Sequence, residues 1–140
     1  MKIDFKEKKG FICDMDGVLY HGNKLLPGAA DFIHWLQENE KEYLFLTNNS
    51  GMTPKELQQK LERLGVHVPE EHFYTSALAT AEFLKQQAPG CSAYVIGEAG
   101  LLNALYDAGI TMNGQIVLCK GVNDGEELEY SLEKLSAYAP

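Results

Sequence analysis

Two stretches of this chain, Gly10–Asp14 and Glu42–Thr47, run almost without interruption through apolar residues, end in a polar cluster and lead into a helical pattern. A strand that is apolar along its whole length suits a parallel sheet covered on both faces, and parallel neighbours require a crossover between them. The unit recurs along the chain. Pro27-Gly28 opens a helix reaching about Asn39, with Phe32, Ile33, Trp35 and Leu36 as its buried stripe. Thr53-Pro54 caps a second helix with Leu57, Leu61 and Leu64 on one side and Gly65 at its end. His72–Ser76 reads as a third strand, and Ala77–Gln87 as a helix offering Leu78, Ala81, Phe83 and Leu84 for packing. After a break at Ala88-Pro89-Gly90, the pattern gives a strand over Ser92–Gly97, a helix over Glu98–Ala108, a strand over Gln115–Lys120 and a helix over Glu126–Ala139. Alternating strands and helices mean an α/β fold, a Rossmann-like parallel sheet with helices on both faces.

Length and charge narrow the function classes. A chain of 140 residues can bury one substantial core, or one with part of a second. Its formal charge of −8 argues against a nucleic-acid partner, whose phosphates need clustered Lys and Arg. No apolar run approaches the ~20 residues that span a bilayer, and Met1-Lys2-Ile3-Asp4-Phe5-Lys6 is too charged for a signal peptide, so a cytoplasmic protein is expected. Cys13, Cys91 and Cys119, widely spaced and without a CxxC, read as reduced thiols, with Cys13 buried in a strand. His34 reads as a partly exposed helical residue. A small anionic substrate stays compatible with the charge, because a bound divalent cation can invert the local field.

The residues able to carry chemistry cluster at two strand ends. Asp14 and Asp16 follow the first strand, and Thr47, Asn48 and Asn49 end the second. Ligands of open α/β sheets bind beyond the carboxyl ends of the strands, so adjacent strands would bring these groups to one crevice. Two carboxylates facing hydroxyl and amide donors suit phosphoryl transfer. One can attack phosphorus while the other protonates the leaving oxygen and later accepts a proton from water. Mg²⁺ would be needed to bring a carboxylate to a phosphate dianion, and Gly17 would let the loop fold closely around the phosphoryl group. Taken alone, Asp-x-Asp-Gly is equally well explained as a turn after a strand. The preceding apolar strand and the second polar cluster favour the site.

Asp14-Met15-Asp16-Gly17-Val18-Leu19 resembles the first signature motif of the haloacid dehalogenase superfamily of aspartate-nucleophile phosphatases, and Leu46-Thr47-Asn48-Asn49-Ser50 resembles the second. Pro27-Gly28-Ala29, Phe73-Tyr74-Thr75-Ser76-Ala77 and Val95-Ile96-Gly97-Glu98-Ala99-Gly100-Leu101 are similar to its NagD-like branch, subfamily IIA, whose members are sugar-phosphate and nucleotide phosphatases. The resemblance implies that Asp14 is the nucleophile and a Mg²⁺ ligand, and that Asp16 is the general acid/base with its carbonyl on the metal. It also implies that Thr47 bonds the transferring phosphoryl group, with Asn48, Asn49 and Gly17 supporting it.

By the same resemblance residues 1–88 begin the Rossmannoid core and 89–140 begin an α/β cap, within which Pro140 falls. The family's third motif, a lysine, and its fourth, an acidic pair, come after that cap. Val122-Asn123-Asp124-Gly125 mimics the fourth motif but reads as a turn, and Lys120 as a surface strand-end lysine.

The expected function is therefore a Mg²⁺-dependent phosphomonoester hydrolase acting on a small phosphorylated metabolite through an aspartyl-phosphate. The alternative is a catalytically incomplete binding or assembly module, whose bare apolar sheet edge would favour homo-oligomers. A phospho-accepting receiver domain would want its lone Asp at the end of a later strand, and none ends the second or third. A sugar transferase using DxD would want a nucleotide-binding unit upstream.

Overall fold

A computed structural model describes residues 5–113, 120–121 and 125–136. Strand β1 (Gly10–Asp14) is followed by a small antiparallel hairpin of β2 (Tyr20–His21) and β3 (Lys24–Leu25), and by helix α1 (Ala29–Glu38). Then come β4 (Glu42–Thr47), α2 (Pro54–Arg63), β5 (Phe73–Thr75) and α3 (Ser76–Gln87). The chain continues through β6 (Ser92–Tyr94), α4 (Ala99–Asp107), β7 (Thr111–Asn113) and α5 (Glu126–Ser136). Strands β1, β4 and β5 form a parallel sheet in that order, and β6 pairs in parallel with β7. The α/β class read from the sequence is the one observed.

Two apolar clusters hold these elements. The first gathers Met15, Leu19 and Tyr20 from the turn after β1, Ile33 and Leu36 from α1, and Phe45 from β4. Leu57 and Leu61 from α2, Val66, Val68 and Phe73 complete it. Phe11 of β1 meets Phe32 and Trp35 edge-on, with ring centroids 6.1 and 5.5 Å apart. The second cluster joins Ala77 and Ala81 of α3 to Ala104 and Leu105 of α4 and to Ile110. By packing, α3 therefore goes with the later elements, and Ala88–Gly90 links it to β6 inside that group.

Helix α2 begins as its sequence predicts. Thr53 and Glu56 form a reciprocal capping box, with Pro54 in the first turn. Elsewhere the periodicity misassigns a few residues. Phe83, expected to pack, is 62% exposed, because Ala77 and Ala81 are the α3 positions that face the second cluster. The strand expected over Ser92–Gly97 stops at Tyr94, and Ile96 is 88% exposed. The hairpin β2–β3 lies where a plain loop was expected, and its two-residue strands are too short to carry a periodic signal. Except for Lys120, which lies in an exposed turn, the strand expected over Gln115–Lys120 lies outside the described residues. So do Cys119, Val122, Asn123, Asp124 and the last residues of the expected final helix.

Exposure alternates along β1. Phe11 and Cys13 pack against the first cluster, whereas Ile12 points the other way and is 74% exposed. Its cross-strand partner Leu44 is half-buried, and Tyr74 of β5 is also exposed. The apolar run is thus continuous in sequence, but only one of its faces meets the core among the described residues.

That difference has a measurable outcome. Phe45→Ala, in the buried layer, is expected to cost about 3–5 kcal/mol through lost contacts and a cavity. Ile12→Thr is expected to stay within about 0.5 kcal/mol, as surface changes do. Urea unfolding of both variants checks the contrast.

Candidate active site

The alternation of β1 also arranges the carboxylates. Phe11, Cys13 and Met15 turn inward, Met15 completely buried, so Asp14 and Asp16 emerge together on the opposite side. Gly17 follows with φ +78, a left-handed conformation that glycine adopts without a steric penalty. The turn closes on itself. The Gly17 N–H donates to the Tyr20 carbonyl at 2.8 Å, and the Leu19 N–H to the Met15 carbonyl at 2.8 Å. The Gly17 amide is therefore already engaged; what Gly17 offers a ligand is its lack of a side chain.

Asp14 ends β1. One of its oxygens, Oδ1, accepts from the Met15 N–H at 2.8 Å. Parallel pairing sets Asp14 beside Leu46, so the next residue of β4, Thr47, stands next to the turn. Thr47 is buried, and its hydroxyl donates to Asp16 Oδ2 at 3.0 Å while accepting from the Asn49 N–H at 3.1 Å. The Asn49 side-chain oxygen then accepts from the Gly51 N–H at 2.8 Å. Asn48 takes part through its carbonyl, which accepts from the Ser76 hydroxyl at 2.8 Å.

Of the residues singled out in the sequence, Asp16, Thr47 and Asn49 are thus joined by direct hydrogen bonds. Asp14 and Gly17 share the same turn, and Asn48 is anchored from behind by α3.

The sequence assigns no role to two contributors, although Ser76 lies in a stretch similar to the NagD-like branch. One is Ser76, whose role depends on where α3 starts. The other is Tyr20, a buried aromatic in a chain with seven tyrosines. Its hydroxyl has no hydrogen bond of good geometry among the described residues, yet it lies near enough to Asp16 to feel its charge. Burial first, and then the Asp16 and Asp14 carboxylates, push the Tyr20 phenol up to about 12. The Lys60 ammonium of α2 sits 3.9 Å from the centre of the same ring, a cation–π contact. Cys13 is half-buried; burial and the neighbouring Asp14 push its thiol up, which keeps it protonated and unreactive.

Residues 11–111 match the model of the haloacid dehalogenase-like hydrolases. The chain belongs to that family. Its relatives are of the NagD kind. The ribonucleotide monophosphatase NagD of Escherichia coli (strain K12) is 46% identical over 104 residues, covering 74% of this chain and 41% of that protein. The dihydroxyacetone phosphatase of Corynebacterium glutamicum (strain R) is 41% identical over 129 residues, covering 90% of this chain and 45% of that one. The solved structure of NagD from the E. coli K-12 strain superposes with a TM-score of 0.71 at 36% identity, over 93% of this chain and 54% of its own. The chain spans less than half the length of these two curated relatives.

Tyr20 offers a test of the turn's geometry. The folded state holds its proton beyond the ordinary value near 10, so the associated stability is complete below that pH and is lost as pH rises toward about 12. Tyr20→Phe is expected to remove one late-ionising phenol from the ultraviolet titration and to reduce the loss of stability in that interval. A variant whose missing phenol is one that ionises near the ordinary value of about 10 would place the hydroxyl in solvent instead.

Proposed function

We propose that this chain carries the nucleophile and acid/base of a Mg²⁺-dependent phosphomonoester hydrolase acting through an aspartyl-phosphate. The observation that supports it best is the hydrogen bond from Thr47 to Asp16 at the strand end that also bears Asp14. With Oδ1 of Asp14 occupied by the Met15 N–H, Oδ2 is the oxygen left to attack phosphorus. In that step the bond from phosphorus to the leaving oxygen breaks, and Asp16 gives its proton to that oxygen. Asp16 then takes a proton from water, whose oxygen attacks phosphorus, so that inorganic phosphate leaves and the Asp14 carboxylate is restored. Thr47, held between Asp16 and the Asn49 amide, can turn its hydroxyl to a phosphoryl oxygen.

Asp14 and Asp16 supply hard oxygen donors of the kind Mg²⁺ takes. Among the described residues no group of three or more His, Cys, Asp or Glu encloses an ion. A partial set of this kind suits a cation that keeps several waters and binds through one or two carboxylates and a substrate phosphate. When bound, Mg²⁺ supplies the positive charge that lets a carboxylate approach a phosphate dianion.

On this reading residues 1–88 begin the family's core and 89–140 its cap, with α3 joining the two. The substrate is a small phosphorylated metabolite. The names of the relatives support the class and no finer choice, since one acts on ribonucleotide monophosphates and another on dihydroxyacetone phosphate. No helix among the described residues is long and apolar enough to cross a membrane, and Cys13 and Cys91 are free thiols, as suits a reducing cytoplasm.

Phosphate release from p-nitrophenyl phosphate and nucleoside monophosphates tests the proposal. Release is expected to require Mg²⁺, to vanish in Asp14→Asn, and to fall about 10²–10⁴-fold in Asp16→Asn. Release that survives unchanged in Asp14→Asn refutes the assignment. Calorimetric titration with Mg²⁺ completes it: neither heat nor release in the unaltered chain would assign a binding or assembly role.

A further inference from the structure

We propose that Gly100 is a positioning residue that clamps the Thr47–Gly51 loop from the second apolar unit, and that it must lack a side chain to do so. Gly100 is buried in the first turn of α4, two residues after the N-cap Glu98. An N–H at that point of a helix has no partner within the helix. Here it donates to the Gly51 carbonyl at 3.1 Å, across to the loop that follows β4. The approach is close. A Cβ on Gly100 would stand 2.5 Å from the Ser50 carbonyl oxygen, 2.7 Å from the Gly51 carbonyl carbon and 2.8 Å from its oxygen. All three are main-chain atoms, which cannot swing aside as a side chain would. From the other direction, a Cβ on Gly51 would collide with the Glu98 carboxylate.

This contact ends a chain of hydrogen bonds that begins at the candidate acid. Thr47 donates to Asp16 at 3.0 Å, the Asn49 amide to Thr47 at 3.1 Å, the Gly51 amide to Asn49 at 2.8 Å, and the Gly100 amide to Gly51 at 3.1 Å. Ser76 adds a second tether from the same unit, donating to the Asn48 carbonyl at 2.8 Å. Helices α3 and α4, which carry Ser76 and Gly100, pack on one another through Ala77, Ala81, Ala104 and Leu105. The loop between Thr47 and Gly51 is therefore held at two carbonyls by a single packed body. Its consequence for turnover rests on the phosphatase reading above; the clamp itself does not.

Helix propensity makes the test sharp. Alanine is the better helix former, so Gly100→Ala would stabilise α4 if nothing opposed it. The clamp predicts the reverse. Amide hydrogen exchange on the 140-residue chain is the primary readout. In the unaltered protein the Gly100 amide is expected to exchange at least roughly tenfold more slowly than that of Ala99, its neighbour in the same turn. Equal rates would overturn the proposal without any variant.

In Gly100→Ala, exchange at Asn49 and Gly51 is expected to rise while Ala104 and Leu105 keep their protection. Gly97→Ala serves as control, because the three atoms nearest a Cβ there all belong to the flexible Leu101 side chain. A Gly100→Ala variant that melts at a higher temperature with Asn49 and Gly51 unchanged would also overturn it. Where phosphate release is measurable, kcat of Gly100→Ala is expected to fall by up to about 10²-fold, with the α3–α4 packing intact by exchange. If the unaltered chain releases no phosphate, the phosphatase reading fails, while the exchange results still decide the clamp.

Discussion

Parallel pairing of β1 with β4 is the constraint on which the site depends. Its register sets Asp14 against Leu46, and from that alone Thr47 comes alongside the turn that carries Asp16. A slip of β4 by one residue would turn Phe45 out of the core, and the same slip of β1 would turn Ile12 into it, so the apolar pattern penalises a one-residue slip of either strand. Phe45, fully buried, and Met15, fully buried at the start of the turn, are the side chains that enforce it. Polar chemistry at the strand ends is thus held by apolar packing one position from Asp14 and two from Thr47.

The sequence carried much of this in readable form. Apolar runs bounded by polar clusters identified β1 and β4, and Thr53-Pro54-Lys55-Glu56 announced a helix start that the capping box bears out. Asp16 and Thr47 are legible from their positions at the strand ends and Asn49 from the resemblance to the second motif, and the three are joined by hydrogen bonds in the fold. What could not be read depends on tertiary placement. Phe83 and Ile96 are apolar residues that the sequence assigns to packing, yet helix phase and strand length leave both in solvent. Gly100 and Ser76 lie in stretches similar to the NagD-like branch, but their contacts emerge only when the elements that carry them are set against the loop after β4.

Tyr20 and Lys60 set a cation against an aromatic ring in the segment that follows the Asp14–Gly17 turn. The Lys60 ammonium lies 3.9 Å from the centre of the Tyr20 ring, whose hydroxyl feels the Asp16 and Asp14 carboxylates. A direct salt bridge would occupy the oxygens that the proposed chemistry needs. A cation resting on an aromatic face leaves them free.

The outward face of the sheet, where Ile12 and Tyr74 meet water, also bears on how inorganic phosphate behaves with this chain. Phosphate is excluded from apolar surface and strengthens its association, as sulfate does. At the strand ends the same ion is the product of the proposed reaction. Phosphate would therefore act on one molecule in two unrelated ways, as a ligand at low concentration and as a precipitant of the open sheet face at high concentration.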